Sequence, residues 1–301
     1  MIVTLLLRNQ GFYSILFFVL NHYLYCKKNK LNYKMNTDNW LFKSINGWTD
    51  YFENIELNYD DDVSNEIVYY DQKNTILDNF TLNDYRNAIS ELYIYNKNTK
   101  ERIIEIQKKF NLLNNYSSIF IRRGDKLISE SNLYNASNYI ELLLKKDPKC
   151  KRIFIQTDDY NSVIEAKHFI EIQNLDIEII SLCNENTKGM VIISHQQNML
   201  NNVLRNISYS KNTDYLFHNK NDILNFKPVD KMNSTEIYEH TIQMLIGVDI
   251  VLNSNICVLD YESNISRFIK LAHCNPNNVL DINNMHFDFK SVNFPAYGFN
   301  F

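Results

Sequence analysis

Ile119-Phe120-Ile121-Arg122-Arg123-Gly124-Asp125-Lys126, with Glu130 four residues further on, is the stretch on which the fold turns. An apolar β run stops abruptly in two arginines, a glycine, an acid and a lysine. In an α/β sheet the carboxyl end of a strand opens onto the ligand crevice. Two guanidinium groups at that point suit a phosphate or carboxylate gripped bidentately. Glu130 is then placed to act as a base on whatever lies beside the anion. This combination suits transfer of a sugar from a nucleotide.

Strands and helices alternate outward from this motif. Ser118–Ile121 reads as a strand, Ser137–Lys146 as a helix, and Arg152–Gln156 as a strand ending in Thr157-Asp158-Asp159. Helix Ser162–Ile172 and strand Ile177–Ser181 follow. After a polar, Asn-rich segment from Asn184 to Asn233 come helix Glu236–Leu252, strand Ile256–Leu259, the loop Asp260-Tyr261-Glu262-Ser263-Asn264 and helix Ile265–Ala272. This spacing predicts a parallel, Rossmann-like α/β sheet. Upstream, a strand (Ile2–Leu7), a buried helix (Phe12–Cys26) and a short strand (Asn32–Met35) form a first βα unit. Helices are expected over Leu82–Tyr95 and Glu101–Leu113, and Asp60-Asp61-Asp62 with Glu66 reads as a solvated loop. The turn at Asn111–Tyr116 marks a boundary between residues 1–114, an α/β acceptor-side domain, and residues 115–301, the Rossmann-like donor domain.

Composition narrows the partners. The chain has 301 residues, 45% hydrophobic and 22% charged, as in a soluble globular protein with material for a sizeable core. A net charge of −4 provides no bulk field toward nucleic acid or an anionic membrane, so an anionic ligand must be held by local cations. Cys26, Cys150, Cys183, Cys257 and Cys274 are odd in number and form no Cys-x-x-Cys pair, which reads as reduced thiols in a reducing compartment. The apolar run from Met1 to Cys26 is broken by Arg8-Asn9-Gln10-Gly11, and Phe12–Leu20 falls short of the about 20 residues that span a bilayer. With Arg8 inside the run and no small-x-small cleavage site, a strand, a turn and a buried helix are expected here rather than a signal peptide. A cytoplasmic protein without a membrane span is expected.

Three loops, Arg122–Lys126, Thr157–Asp159 and Tyr261–Arg267, share the carboxyl edge of the parallel sheet. Ser263 and Asn264 fall where a helix begins, so they can cap it and leave its N–H groups facing an anion. No Gly-x-Gly-x-x-Gly or Walker loop is present, so side chains and a helix N-terminus must hold any phosphate. Asp158-Asp159 offers two roles, a divalent metal site or a brace for the arginines; adjacent side chains point apart, which favours the brace. The seven histidines form no i, i+4 metal pair. Trp40 and Trp48 are either a hydrophobic plug under a loop or a sugar-stacking pair on the acceptor side.

Taken in order, these motifs resemble the α-1,6-fucosyltransferase family, which includes the animal core fucosyltransferase and the rhizobial enzyme acting on chitin oligosaccharides. Gly11-Phe12-Tyr13, Tyr25-Cys26, Asn39-Trp40 and Gly47-Trp48 echo the start of its catalytic region. Arg122-Arg123-Gly124-Asp125-Lys126 with Glu130 is similar to its Arg-Arg-Thr-Asp-Lys block and following glutamate. Thr157-Asp158-Asp159 matches its Thr-Asp-Asp, and Ser263-Asn264-Ile265-Ser266-Arg267 resembles its Ser-Gln-Val-Cys-Arg. The resemblance implies two Rossmann-like domains in a GT-B-like fold and a metal-independent, inverting transfer of fucose from GDP-fucose to a glycan, with no cofactor. It implies that Arg122 and Ser263 grip the diphosphate, with Arg123, Asp125, Asp158, Asp159 and Asn264 completing the donor site. Glu130, assisted by Lys126, becomes the catalytic base. The chain departs from the family at Phe120, where a guanine-contacting histidine stands, and at Gly247, where a guanine-reading aspartate stands two residues before Asp249. Another nucleotide-sugar donor, or a catalytically inactive binding protein on the same scaffold, are the alternatives.

Overall fold

The computed structural model describes residues 2–59, 66–70, 80–123, 132–187 and 227–283. Among these, short β-branched and aromatic runs form two wholly parallel sheets. In the first, β1 (Ile2–Leu6) lies between β2 (Asn32–Asn36) and β3 (Glu66–Tyr70). The second runs in the order β6 (Glu178–Ser181), β5 (Arg152–Thr157), β4 (Ser117–Ile121), β7 (Cys257–Leu259), β8 (Val279–Asp281). Strand β3 corrects the expectation of a loop at Glu66: Ile67-Val68-Tyr69-Tyr70 is a strand run, and the acidic residues before it masked that signal. Strand β8 was also not expected, being three residues in an Asn-rich context.

The described residues gather in two compact units, one through Arg102 with Asn233–Ile242, the other from Ile103 to Met232 and from Gln243 onward. In the second unit, Ile119, Ile121, Ile153, Ile155 and Val258 turn one sheet face onto Ala136, Tyr139, Ile140 and Leu143 of α4 (Ala136–Lys146) and Ala166 and Ile170 of α5 (Asn161–Ile172). The chain steps outward through β4, β5 and β6, then returns to set β7 and β8 on the other side of β4. Strand order therefore reverses between β4 and β7, which is where open α/β sheets hold ligands.

In the first unit, α1 (Phe12–Asn29) is buried over most of its length and ends at Lys30, whose left-handed φ of 52° stops the helix. Tyr23 and Lys27 both donate to Glu91 of α2 (Leu82–Leu92), at 2.6 and 2.5 Å. Thr81 caps α2 in a reciprocal box with Asp84. Helix α3 (Lys97–Lys109) begins earlier than the apolar period suggests, because Asn96 accepts from the Thr99 N–H at 2.9 Å and caps it. It stops short of Leu113 at Asn111, which takes a φ of 51°. Among the described residues no helix, α1 included, is long and apolar enough to cross a membrane.

The loop carrying Trp48 is wound around one carboxylate. Asp50 accepts four backbone N–H bonds, from Ser44, Ile45, Asn46 and Gly47, at 2.9, 3.0, 2.8 and 2.9 Å. Gly47 sits at φ +81°, and a Cβ there would lie 1.9 Å from Thr37 Oγ1, so only glycine closes this turn. Asp50→Ala strands these donors and is expected to destabilise the first unit by about 2 kcal/mol in urea unfolding. Asp50→Asn, whose single Oδ1 can serve only some of them, is expected to fall between the two.

Candidate functional site

The β4–β5 register builds the site. Ile121 pairs with Thr157, so one residue further Arg122 stands opposite Asp158, and Arg123 opposite Asp159. Side chains alternate along a strand, so Arg123 continues the Ile119–Ile121 face toward α4 and α5, whereas Arg122 continues the Ser118–Phe120 face. The two arginines consequently have different fates.

Arg123 is 1% exposed. Its guanidinium donates to Asp159 at 3.3 Å, to both oxygens of Glu165 at 2.9 and 2.7 Å, and to the Tyr134 carbonyl at 3.0 Å. Glu165 also accepts from the Ala136 N–H that opens α4, at 3.0 Å. Burial disfavours the guanidinium's charge, but Glu165 and Asp159 outweigh it and hold its pKa above the ordinary value. Asp159, itself fully buried, accepts from the Asn161 N–H at the start of α5 at 3.0 Å. The expectation that both guanidiniums face a ligand is thus corrected for Arg123: period-two alternation turns it inward, where it ties β4, β5, α4 and α5 together.

Arg122 forms an ion pair with Asp158, whose other oxygen accepts the Arg123 N–H at 2.7 Å. Both side chains are only partly covered, at 13% and 11% exposure, so Arg122 is oriented by its brace and still reaches the sheet edge. The Asp158-Asp159 pair performs the bracing role in both cases.

At the end of β7, Ser263 caps α7 (Asn264–Ala272), its hydroxyl accepting from the Ser266 N–H at 3.2 Å and bonding the Ser266 hydroxyl at 2.7 Å. Asn264 accepts from Arg267 at 3.4 Å. Asp125, Lys126 and Glu130 lie outside the described residues. Trp40 and Trp48 belong to the first unit, where both are 3% exposed among Phe12, Phe42, Tyr51 and Phe52, with Trp48 stacked on Phe52 at 4.4 Å. That packing is the plug; neither ring offers a face to a sugar.

Three residues here had no signal of their own in the sequence. Glu165 is an acid one turn into the helix that follows the Asp pair, the position from which it reaches Arg123. Tyr134 joins through its carbonyl, and its hydroxyl bonds Asn283. Asp260, at the carboxyl end of β7, is pushed up to about 6 by burial, against the lowering effect of the hydrogen bond that it accepts from the Glu262 N–H.

The two departures from the family pattern meet on one face. Phe120 is buried and pairs in register with Gln156, and a Cβ at Gly247 of α6 (Ser234–Leu252) would lie 1.9 Å from Gln156 Oε1. The Gln156 amide fills the space that a longer residue at 247 would take. Asp249 is turned elsewhere, accepting from Gln107 and Asn253 at 3.2 Å each.

No protein-family model matches the chain. Among solved structures, NodZ alpha-1,6-fucosyltransferase soaked with GDP-fucose aligns over 90% of this chain and 92% of its own, with a TM-score of 0.51 at 10% identity. The same enzyme co-crystallised with GDP gives 0.53 over the same shares at 10% identity. Fucosyltransferase NodZ from Bradyrhizobium gives 0.54 at 10% identity, over 94% of this chain and 95% of its own. The likeness is one of fold, and the fold is α/β and GT-B-like. In sequence, the peptide methionine sulfoxide reductase MsrA of Malacoplasma penetrans is 35% identical over 118 residues, which is 37% of this chain and 70% of that protein.

Removing Arg123 leaves the buried Asp159 and the partly covered Glu165 without their partner, so Arg123→Met is expected to cost about 3–5 kcal/mol of stability in urea unfolding. Arg122→Ala, at the partly exposed pair, is expected to cost less than half as much. Asp249 is pushed up to about 6 by burial. A carboxyl whose folded pKa lies above its unfolded value contributes stability below the unfolded value and loses it as pH rises through about 6. Asp249→Asn should therefore gain in Tm relative to wild type between pH 4.5 and 6.5, read by paired thermal melts.

Proposed function

We propose that this protein is a glycosyltransferase that moves fucose from GDP-fucose to a glycan acceptor with inversion and without a metal. The observation that carries the reading is Arg122, braced by Asp158 at the carboxyl end of β4, beside the strand-order reversal. The fold shared with NodZ structures, two of which were prepared with GDP-fucose or GDP, supports it.

The chemistry follows from charge. Inversion at the anomeric carbon needs a base on the acceptor hydroxyl and neutralisation of the departing diphosphate on the opposite side. In this reading Arg122 meets the diphosphate, with the N-terminus of α7 and Ser263 adding positive potential. Glu130, with Lys126 beside it in sequence, takes the acceptor proton; a positioned base contributes about 10²–10⁴ in rate. Arg123, Asp158 and Asp159 act on the donor through Arg122 and the backbone they fix. The Gln156 amide beside Phe120 is the feature that favours a second donor, a nucleotide-sugar with another base.

A sulfoxide reductase reading, raised by the partial likeness to MsrA, needs a reactive thiolate. Burial works against that at Cys26 and Cys257, both pushed up to about 12.

Thermal shift against GDP, GDP-fucose, GDP-mannose, UDP-sugars and dTDP-sugars, each with and without EDTA, tests the donor. A ligand at 100 times its Kd adds about 2.7 kcal/mol of stability. An EDTA-insensitive shift with GDP and GDP-fucose is expected; a shift with another nucleotide alone retires fucose, and no shift retires the transferase. Glu130→Gln should keep donor binding and lose at least about 100-fold in turnover, whereas Arg122→Ala should lose both. Wild-type transfer rates in Glu130→Gln would exclude this mechanism. Thiol-dependent reduction of a methionine sulfoxide peptide, faster than the protein-free rate, would sustain the reductase instead.

A further inference from the structure

Gln156 stands on the sheet face that carries Arg122, two residues before Asp158 on β5 and in register with Phe120. Its side chain is half-buried, and its amide makes no hydrogen bond among the described residues, yet neither amide atom is shut from solvent. The oxygen, carbon and nitrogen of that amide all fall within 2.8 Å of the place a Cβ on Gly247 would take. The amide therefore lies against α6 at the point where that helix has no side chain. A glycine inside a helix costs stability relative to alanine. Here it gives the amide a fixed seat with no internal bond in return. Gln243, one turn earlier on α6, shows the ordinary alternative, donating to the Leu182 carbonyl at 2.5 Å. A surface amide satisfied by water alone needs no seat.

The neighbours say what such an amide meets. Strands advance about 3.3 Å per residue, so Gln156 lies about 7 Å along the same face from the level of Arg122 and Asp158. All of these residues, with Gly247, belong to the second unit. A ligand whose phosphates sit by Arg122 extends past that level with an uncharged part, since Gln156 carries no charge to hold a phosphate. Phe120, buried across the register, makes the surroundings apolar. A hydroxylated sugar needs several polar partners. A flat ring with one hydrogen-bonding edge needs few, and a primary amide supplies a donor and an acceptor in one plane. Nucleobases are such rings, and proteins read them by hydrogen bonds to an edge beside apolar or aromatic side chains.

We propose that Gln156, seated on Gly247, is a specificity-determining residue whose amide hydrogen-bonds the edge of the nucleobase of the donor. The inference rests on the donor-site reading above and adds the group that reads the base. Gly247 acts through Gln156, as a positioning residue.

The test uses the full chain, as wild type, Gln156→Glu and Gly247→Ala, in calorimetric titrations with pyrophosphate, GDP, IDP and UDP. Pyrophosphate carries the phosphates without a base. Wild type should bind at least one nucleotide about tenfold or more tighter than pyrophosphate. In Gly247→Ala the new Cβ displaces the amide, so that nucleotide should lose about tenfold in affinity while pyrophosphate is unchanged. Gln156→Glu keeps the shape but offers acceptors only. GDP presents two adjacent donors, a ring N–H and an amino group, and IDP lacks the amino group. The GDP-to-IDP affinity ratio should therefore rise about tenfold in this variant over wild type. An unchanged ratio in Gln156→Glu, or equal losses for pyrophosphate and nucleotide in Gly247→Ala, overturns the role of Gln156 while leaving the donor site standing. Nucleotides held no tighter than pyrophosphate by wild type do the same. Wild type that binds none of the four ligands overturns both.

Discussion

Arg123 is the constraint on which the second unit depends. A guanidinium taken almost wholly out of water is tolerable only where its hydrogen bonds and its charge are matched. Asp159, Glu165 and the Tyr134 carbonyl do this for its two terminal nitrogens. Satisfying one side chain therefore fixes the end of β4 against the end of β5 and the starts of α4 and α5. Such a network contributes less to net stability than its bonds suggest, because desolvation offsets them. Its effect is positional, since these contacts tie the end of β4 to the end of β5 and the starts of α4 and α5.

The precision serves Arg122. It stands one residue before Arg123 on the other face of the sheet, and Asp158 holds it through the same backbone that Arg123 immobilises. An exposed arginine free to sample rotamers would lose entropy on meeting any anion. A braced one has lost it during folding, which is the sense in which a site is preorganised. The acids of the neighbouring strand are thus supports for a cation, and their adjacency in sequence, which resembles a metal motif, follows from a parallel register that needs two acids opposite two arginines.

Some of this could be read directly from the residues. Alternating apolar runs and amphipathic stretches gave the βα succession, and the Arg-Arg and Asp-Asp pairs stood at strand ends. Extending the period-two alternation by two residues beyond Ile121 separates the inward arginine from the outward one. Other features carried no local mark. Strand β8 is three residues long, β3 follows an acidic run, and the caps at Asn96 and Asn111 shift α3 against its apolar period. The tryptophans show the ambiguity of aromatic residues: plug and sugar platform have the same composition, and burial alone separates them.

By itself the sequence determined the class of the fold, because backbone hydrogen bonding and burial of apolar faces leave few ways to arrange strands and helices that alternate at this spacing. It also marked the side chains that were candidates to hold an anion, Arg122 and Arg123 among them, without separating the two. Only the tertiary structure decided that β7 lies beside β4, that Glu165 and the Tyr134 carbonyl complete the Arg123 network, and that Gln156 fills the space over Gly247. Those outcomes depend on strand order and on contacts between segments far apart in the chain, which packing sets and local composition does not.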